Sequence, residues 1–196
     1  MTSAKQSLVA FGANLNFGDL SLEQTIFAAI KAFHDEDIEV ISTSNLYETP
    51  CFPAGAGPNY LNGALVVTQR HAGEIEDLLA ALHRIEARFG RERVQRWGGR
   101  TLDLDLLACG DSVLPNRAVF QHWLDLPLAE QARVAPEQLI LPHPRMQDRA
   151  FVLVPLADIA PDWRHPVLQK TVAEMLADLP DSARKEVVLR RSVASF

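Results

Sequence analysis

The chain has 196 residues, 47% of them hydrophobic, which fits a single globular domain spanning residues 1–196 with a sizeable core. Its net charge is −6, from 19 basic and 25 acidic residues. This argues against general binding to nucleic acid or a membrane surface, because both attract basic faces. Cys51 and Cys109 are too few for a disulfide framework, and no apolar leader or run of 18 apolar residues occurs, so we expect a cytoplasmic protein.

The first part of the chain alternates between predicted strands and helices. The apolar run Ser7–Phe11 predicts a strand. Ser21–His34 predicts a helix, since Ser21 and Gln24 form a capping-box pair ahead of apolar residues at helical spacing. The pattern then predicts a strand at Ile38–Tyr47, a proline- and glycine-rich loop at Thr49–Asn59 and a strand at Tyr60–Gln69.

The later segments extend this pattern. Glu74–Phe89 carries an apolar helical stripe that Gly90 is placed to end, and Thr101–Leu106 alternates as a strand does. Leu114–Gln138 has no clear assignment. The last predicted elements are a helix at Arg149–Ile159 that contains Pro155, a short helix capped by Thr171 and ended by Pro180, and a strand at Glu186–Arg191. The order β-α-β-β-α-β predicts an α+β, ferredoxin-like fold with helices on one face of an antiparallel sheet and a second face free for a site.

The segment from Arg91 to Asp105 holds the most chemical information. Between Arg88 and Thr101, five arginines stand against one acidic residue. In the strand that follows, alternation directs Asp103 and Asp105 to one face and the neighbouring leucines to the other. Two like charges so close repel each other unless a cation lies between them or one is protonated. Either piece alone is often only a solvated surface, but carboxylates next to arginines predict Mg²⁺ with a polyphosphate.

Several motifs resemble a known family. They are Phe11-Gly-Ala-Asn, Tyr47-Glu-Thr-Pro, Tyr60-Leu-Asn, Arg96-Trp-Gly-Gly-Arg-Thr-Leu-Asp-Leu-Asp-Leu-Leu, Leu141-Pro-His-Pro-Arg-Met and Arg149-Ala-Phe-Val-Leu-Val-Pro-Leu. Together, and in this order, they resemble the 6-hydroxymethyl-7,8-dihydropterin pyrophosphokinases of folate biosynthesis. The resemblance implies transfer of the β,γ-diphosphate of ATP to the pterin hydroxymethyl group, with release of AMP.

The resemblance also implies roles for individual residues. It implies that Asp103 and Asp105 hold two Mg²⁺ ions and act in catalysis with Arg91 and Arg100. For ATP it implies contacts from Glu86, Arg91, Trp97, Arg100, His143 and Arg149. For the pterin it implies stacking by Tyr60 and Phe151, hydrogen bonding by Asn62, and contacts from Thr49, Pro50, Phe52 and Trp97. Taken alone, Tyr60, Phe151 and His143 are more typical of core positions.

Two other functions stay open from the residues alone. One is a different Mg²⁺-dependent nucleotidyl- or phosphotransferase that uses the same carboxylate pair. The other is a non-catalytic module that binds anions or RNA through the arginine-rich segment, although the acidic composition disfavours it. We also expect segment 91–100 to close over ATP, and a monomer with no obligate protein partner, nucleic acid or membrane.

Overall fold

The computed structural model describes residues 5–51, 57–71, 73–90, 100–127, 130, 133–134 and 136–191. The strands are β1 (Gln6–Ala13), β2 (Ile38–Thr43), β3 (Leu46–Thr49), β4 (Tyr60–Gln69), β5 (Asp103–Cys109) and β6 (Val188–Arg191). The helices are α1 (Leu22–Asp35), α2 (Ile75–Arg88), α3 (Arg117–Asp125), α4 (Ala150–Ile159), α5 (Val172–Asp178) and α6 (Asp181–Lys185), with a 3₁₀ turn at Met146–Asp148.

The strands form one antiparallel sheet in the order β5-β1-β4-β3-β6, and β2 also pairs with β4. The central strand β4 is long enough to pair with both β3 and β2 along its other edge. The predicted single strand Ile38–Tyr47 is therefore two strands, separated at Ser44 and Asn45. At this break the side chain of Ser44 takes the place of a backbone acceptor in the ladder. Its hydroxyl accepts a hydrogen bond from the Ala64 amide at 2.8 Å. The predicted α+β architecture is confirmed.

Helices α1 and α2 cover one face of the sheet. Their apolar stripes pack with alternate side chains of β1, β4 and β5, including the fully buried Phe33, Leu82 and Leu65. The predicted capping box is present at the start of α1: the Ser21 hydroxyl accepts from the Gln24 amide, and the Gln24 side chain accepts from the Ser21 amide. Burial of this face against the helices fixes which side chains of each strand point the other way.

The sequence suggested that the second face is free. In the structure, part of this face is covered. Helix α4 crosses it, and Val152, Leu153 and Leu156 are fully buried there together with side chains of α5. Pro155 lies inside α4 beyond its first turn, where this apolar contact offsets the lost backbone hydrogen bond. The uncovered part of the face lies towards the start of β4 and β5. That part carries the polar side chains.

The described part of the segment without a sequence assignment contains α3. Asn116 caps this helix, since its side-chain oxygen accepts a hydrogen bond from the Val119 amide at 3.0 Å. Phe120 is fully buried and lies 5.6 Å, ring centroid to ring centroid, from His165. The helix thus attaches to the chain that follows α4. Across the described ranges, no helix has the length and apolar character needed to cross a membrane.

Candidate active site

The two predicted carboxylates lie on the uncovered part of the second face. In β5, Leu104 and Leu106 are each 4% exposed and belong to the core beneath α1 and α2, whereas Asp103 and Asp105 are only partly buried. The side chains of a strand alternate between its faces, so the carboxylates point away from those helices. The predicted placement of Asp103 and Asp105 is confirmed.

Two of the predicted arginines reach these carboxylates. Arg100 donates a hydrogen bond to Asp103, and Nη1 of Arg149 lies 3.8 Å from Oδ2 of Asp105. Burial disfavours the charge of Arg100, but Asp103 and then Asp105 more than compensate and raise its pKa. Burial lowers the pKa of Arg149 despite the neighbouring Asp105. Both guanidinium groups now contact carboxylates. They are suited to exchange these partners for the oxygens of a phosphate.

His143 lies beside these groups as a neutral side chain. Burial, and then the positive charges of Arg149 and Arg145, lower the pKa of His143 to about 3. Its Nδ1 accepts a hydrogen bond from the Arg145 amide at 3.1 Å. The ring proton is therefore assigned to Nε2, which makes His143 a hydrogen-bond donor at neutral pH.

Arg145 is a further candidate that the sequence reasoning did not assign. Its charge lowers the pKa of both His143 and Arg149, which places it near them. Within the described chain its buried Nε has no hydrogen-bond partner. The only sequence signal was its position two residues after His143.

Asn14 ties two loops of the site together. Its side-chain oxygen accepts a hydrogen bond from the Arg100 amide at 2.7 Å, and its Nδ2 donates to the Pro58 carbonyl at 3.2 Å. The Arg100 carbonyl also accepts from the amides of Asn14 and Leu15. Asn14 is only 4% exposed. The position of Arg100 thus depends on the residue that follows β1, which the sequence offered only as part of a motif.

The predicted pterin-binding side chains extend the polar face along β4. In the sheet register Gly12 lies between Asp103 and Asn62. Asn62 is 6% exposed and donates a hydrogen bond from Nδ2 to the Thr49 hydroxyl at 2.7 Å. Tyr60 lies two residues earlier on the same strand face. Burial raises its pKa, an effect that Arg100 opposes and that Cys51 and Asp103 reinforce, so Tyr60 lies close to the carboxylate end of the site.

The remaining predicted site residues lie in α4, after β3, in α2 or outside the described residues. Phe151, in the first turn of α4, is 39% exposed, and the Arg149 guanidinium lies 5.6 Å from the centre of its ring. Pro50 follows β3 and is exposed. Glu86 is 2% exposed and accepts a hydrogen bond from the Leu104 amide at 2.7 Å, which links α2 to β5. Its contact with the nucleotide stays a prediction. Residues Phe52, Arg91 and Trp97 lie outside the described residues.

The donor set fits Mg²⁺ shared with a phosphorylated ligand. In the part of the chain that the structure describes, no three His, Cys, Asp or Glu side chains are grouped to hold a metal. Asp103 and Asp105 alone cannot complete a coordination shell. Mg²⁺ commonly binds through one or two carboxylates and takes its other ligands from water and substrate phosphates. Two carboxylates flanked by arginines match that mode.

The fold and the site define an α+β protein whose sheet carries paired carboxylates and arginines on one face, a set of groups that suits a phosphorylated ligand. Residues 8–161 match the family described as 7,8-dihydro-6-hydroxymethylpterin-pyrophosphokinase (HPPK). The chain belongs to this family, a family of pyrophosphokinase enzymes, and the resemblance noted in the sequence is confirmed.

Individual relatives agree with this membership. The chain is 42% identical over 146 residues to 2-amino-4-hydroxy-6-hydroxymethyldihydropteridine pyrophosphokinase of Synechocystis sp., covering 74% of this chain and 63% of that relative. It is 39% identical to the protein of the same name from Pseudomonas aeruginosa, covering 88% of this chain and 90% of that relative. The crystal structure of Plasmodium falciparum HPPK-DHPS superposes with a TM-score of 0.62 at 14% identity, covering 90% of this chain and 46% of that one. That likeness concerns the fold alone.

Proposed function

We propose that the protein transfers the β,γ-diphosphate of ATP to the hydroxymethyl group of 6-hydroxymethyl-7,8-dihydropterin, forming AMP and the pterin diphosphate in folate biosynthesis. Membership of the family and the names of the relatives support this activity. The observation that carries it is the shared face. Carboxylates and arginines suited to a metal-bound triphosphate continue directly into Tyr60 and Asn62, which are suited to a planar heterocycle.

The phosphates bind at the arginine end of this face. In the structure Arg100 and Arg149 pair with Asp103 and Asp105. Asp103 and Asp105 would hold the metal of the bound ATP, which would leave the guanidinium groups of Arg100 and Arg149 for phosphate oxygens. Arginine suits this exchange because it stays charged and donates two parallel hydrogen bonds. Neutral His143 donates to phosphate from Nε2, and Arg145 adds a positive charge next to it, with a buried Nε that has no hydrogen-bond partner in the described chain. Glu86, Arg91 and Trp97 complete the proposed nucleotide site.

Asp103 and Asp105 hold two Mg²⁺ ions in this proposal. When bound, the ions neutralise charge on the attacking and leaving oxygens of an in-line displacement. The chain's own residues orient the two substrates. Arg100 and Arg91 stabilise the charge of the diphosphate as it is transferred. Since positioning and electrostatic stabilisation account for most of phosphoryl transfer, no dedicated general base is required.

The pterin binds at the β4 end. Asn62 hydrogen-bonds to its polar edge, because a carboxamide offers both a donor and an acceptor. Thr49 holds Asn62 in place through the bond at 2.7 Å. Tyr60 and Phe151 stack on the two faces of the ring, which stabilises each aromatic pair by about 0.5–1.5 kcal/mol beyond burial. Pro50, Phe52 and Trp97 contact the same ligand.

The protein works in the cytoplasm as a single-domain monomer on these two small molecules, without nucleic acid. Light scattering of the purified chain tests the monomer. A mass that stays at twice 21.7 kDa on dilution would contradict it.

Turnover assays test the activity. Purified protein incubated with ATP, Mg²⁺ and the pterin is expected to release AMP only when the pterin is present. Asp103→Asn and Asp105→Asn should each lower the rate at least a hundredfold, since an amide is a poor ligand for Mg²⁺. Asp111→Asn is the matched control, because Asp111 lies in the turn beyond the far end of β5. Release of ADP, transfer to another acceptor, or full activity of either site variant would refute the assignment. Tight, salt-sensitive RNA binding without turnover would favour a binding module instead.

A further inference from the structure

Strand β6 lies beyond the part of the chain that the family description matches. That match ends at residue 161, whereas β6 spans Val188–Arg191. The strand pairs antiparallel with β3, with Glu48 opposite Val188 and Tyr47 opposite Leu189. Strand β3 ends at Thr49 and is followed by Pro50, and both residues are proposed to contact the pterin. One neighbour of β3, the strand that ends at Thr49, is therefore supplied by the C-terminal segment.

The side chain of Glu48 joins β6 to the end of the β3–β4 loop that leads into Tyr60. Asn59, the residue before Tyr60, donates a hydrogen bond from Nδ2 to Oε1 of Glu48 at 2.8 Å. Nε of Arg190 lies 3.8 Å from the other carboxylate oxygen, Oε2. A single carboxylate thus contacts β6 on one side and the residue leading into the proposed stacking tyrosine on the other.

A cavity of about 440 Å³ lies where these pieces meet. The loop ends contribute Thr49, Pro50 and Asn59 to its lining, and the C-terminal segment contributes Glu186, Leu189 and Arg190. The C-terminal segment therefore shares a space with residues proposed to bind the pterin.

We propose that β6 is a positioning element for the pterin: its pairing with β3 and the Arg190–Glu48–Asn59 contacts hold Thr49, Pro50 and Tyr60 in the arrangement that binds the ring. Arg190 and Glu48 are positioning residues and do not touch the substrates. This inference rests on the proposed function. It predicts that damage to β6 weakens pterin binding and leaves the phosphate end of the site intact.

The chain offers a matched pair of variants. Arg190 and Arg191 are neighbours in β6, where the register with β3 shifts, and their side chains contact different partners. Arg190 faces Glu48. Arg191 faces α1, where Nη1 lies 2.7 Å from Oε2 of Glu23 and the guanidinium lies 5.4 Å from the centre of the Phe27 ring. Both substitutions by alanine remove one positive charge from the same strand, but only Arg190→Ala removes the contact with Glu48.

Calorimetry on the full-length chain measures the two ligands separately, with the pterin titrated in the presence of Mg²⁺ and a non-hydrolysable ATP analogue. Arg190→Ala is expected to raise the pterin Kd about two- to fivefold, the range of an exposed ion pair, and Arg190→Lys to restore most of it. Arg191→Ala should leave the pterin Kd within 1.5-fold of wild type. None of these variants should change the Kd of the analogue by more than about twofold.

A stronger perturbation is Val188→Pro with Leu189→Pro. Successive amides of a strand point to opposite edges, so one of the two prolines removes an amide directed towards β3. We expect the pterin Kd to rise at least tenfold. Thermal unfolding checks that this double variant is folded, and Arg190→Ala decides the matter if it is not.

Three results would overturn the inference. They are an unchanged pterin Kd in Arg190→Ala, an equal loss in Arg191→Ala, and an equal weakening of the ATP analogue. A wild-type chain that binds the analogue but no pterin gives a different result, because it refutes the proposed substrate itself.

Discussion

Replacing Gly12 by alanine tests whether the sheet backbone itself forms part of the site. Gly12 lies in β1 between the carboxylate strand and the strand that carries Asn62. A Cβ atom at this position would lie 2.7 Å from Oδ1 of Asn62 and 3.8 Å from Cδ1 of Tyr60. The first distance is shorter than carbon and oxygen atoms normally tolerate, so Asn62 has to move.

The structure sets the size of the effect. Asn62 is buried, and its amide nitrogen donates to Thr49 at 2.7 Å. It cannot swing away from the new methyl group without straining or breaking that bond. Loss of the hydrogen bond costs about 0.5–1.5 kcal/mol, and overpacking of a filled site costs about 1–3 kcal/mol. We expect Gly12→Ala to lower the free energy of unfolding by about 2 kcal/mol and to weaken pterin binding about tenfold.

Urea unfolding and calorimetric titration of the pterin measure the two quantities. Gly57→Ala is a suitable control, since a Cβ at Gly57 would lie 3.6 Å from Sγ of Cys51 and 3.7 Å from Nδ2 of Asn14, which are ordinary contacts. It should change stability by less than about 0.5 kcal/mol. A Gly12→Ala protein that binds pterin as tightly as wild type would refute the close packing of Gly12 against a ligand-binding Asn62.

Three further variants test other parts of the site and fold. Arg145→Ala should weaken binding of an ATP analogue about five- to tenfold without affecting the pterin, because it removes a cation beside His143 and Arg149 whose buried Nε has no described hydrogen-bond partner. Equal affinity by calorimetry would exclude Arg145 from the nucleotide site. Asn14→Ala leaves the Arg100 amide and the Pro58 carbonyl without this partner. The free energy of unfolding, measured in urea, should therefore fall by about 1–3 kcal/mol. An unchanged urea midpoint would contradict the role of Asn14 as a bridge. Burial lowers the pKa of His165 to about 4; the unfolded chain therefore binds the extra proton first, and stability falls as the pH drops from about 6.5 towards 4, by about 2.5 kcal/mol at pH 4.5. His165→Asn should lose less stability than wild type between pH 7 and pH 4.5, and parallel curves would show that this histidine is not responsible.

Local patterns in the sequence determined much of the fold and part of the site. Alternation around Asp103 and Asp105 was enough to assign both carboxylates to one face, because side-chain direction in a strand depends only on neighbouring positions. The capping residues Ser21 and Thr171 likewise begin the helices that they predict, since a cap involves residues three apart. Family motifs indicated the chemistry that these elements support.

Only the tertiary structure decided which distant residues meet. The break between β2 and β3 arises because one long partner, β4, pairs with both, and nothing within Ile38–Tyr47 records the register of that partner. The covering of part of the second face by α4 is likewise a property of packing. Contacts with residues far away in the chain give Asn14 and Glu48 their proposed roles. Burial of a charged group gives Arg145 its proposed role. Periodicity is a property of consecutive residues, whereas these contacts depend on how the whole sheet is assembled.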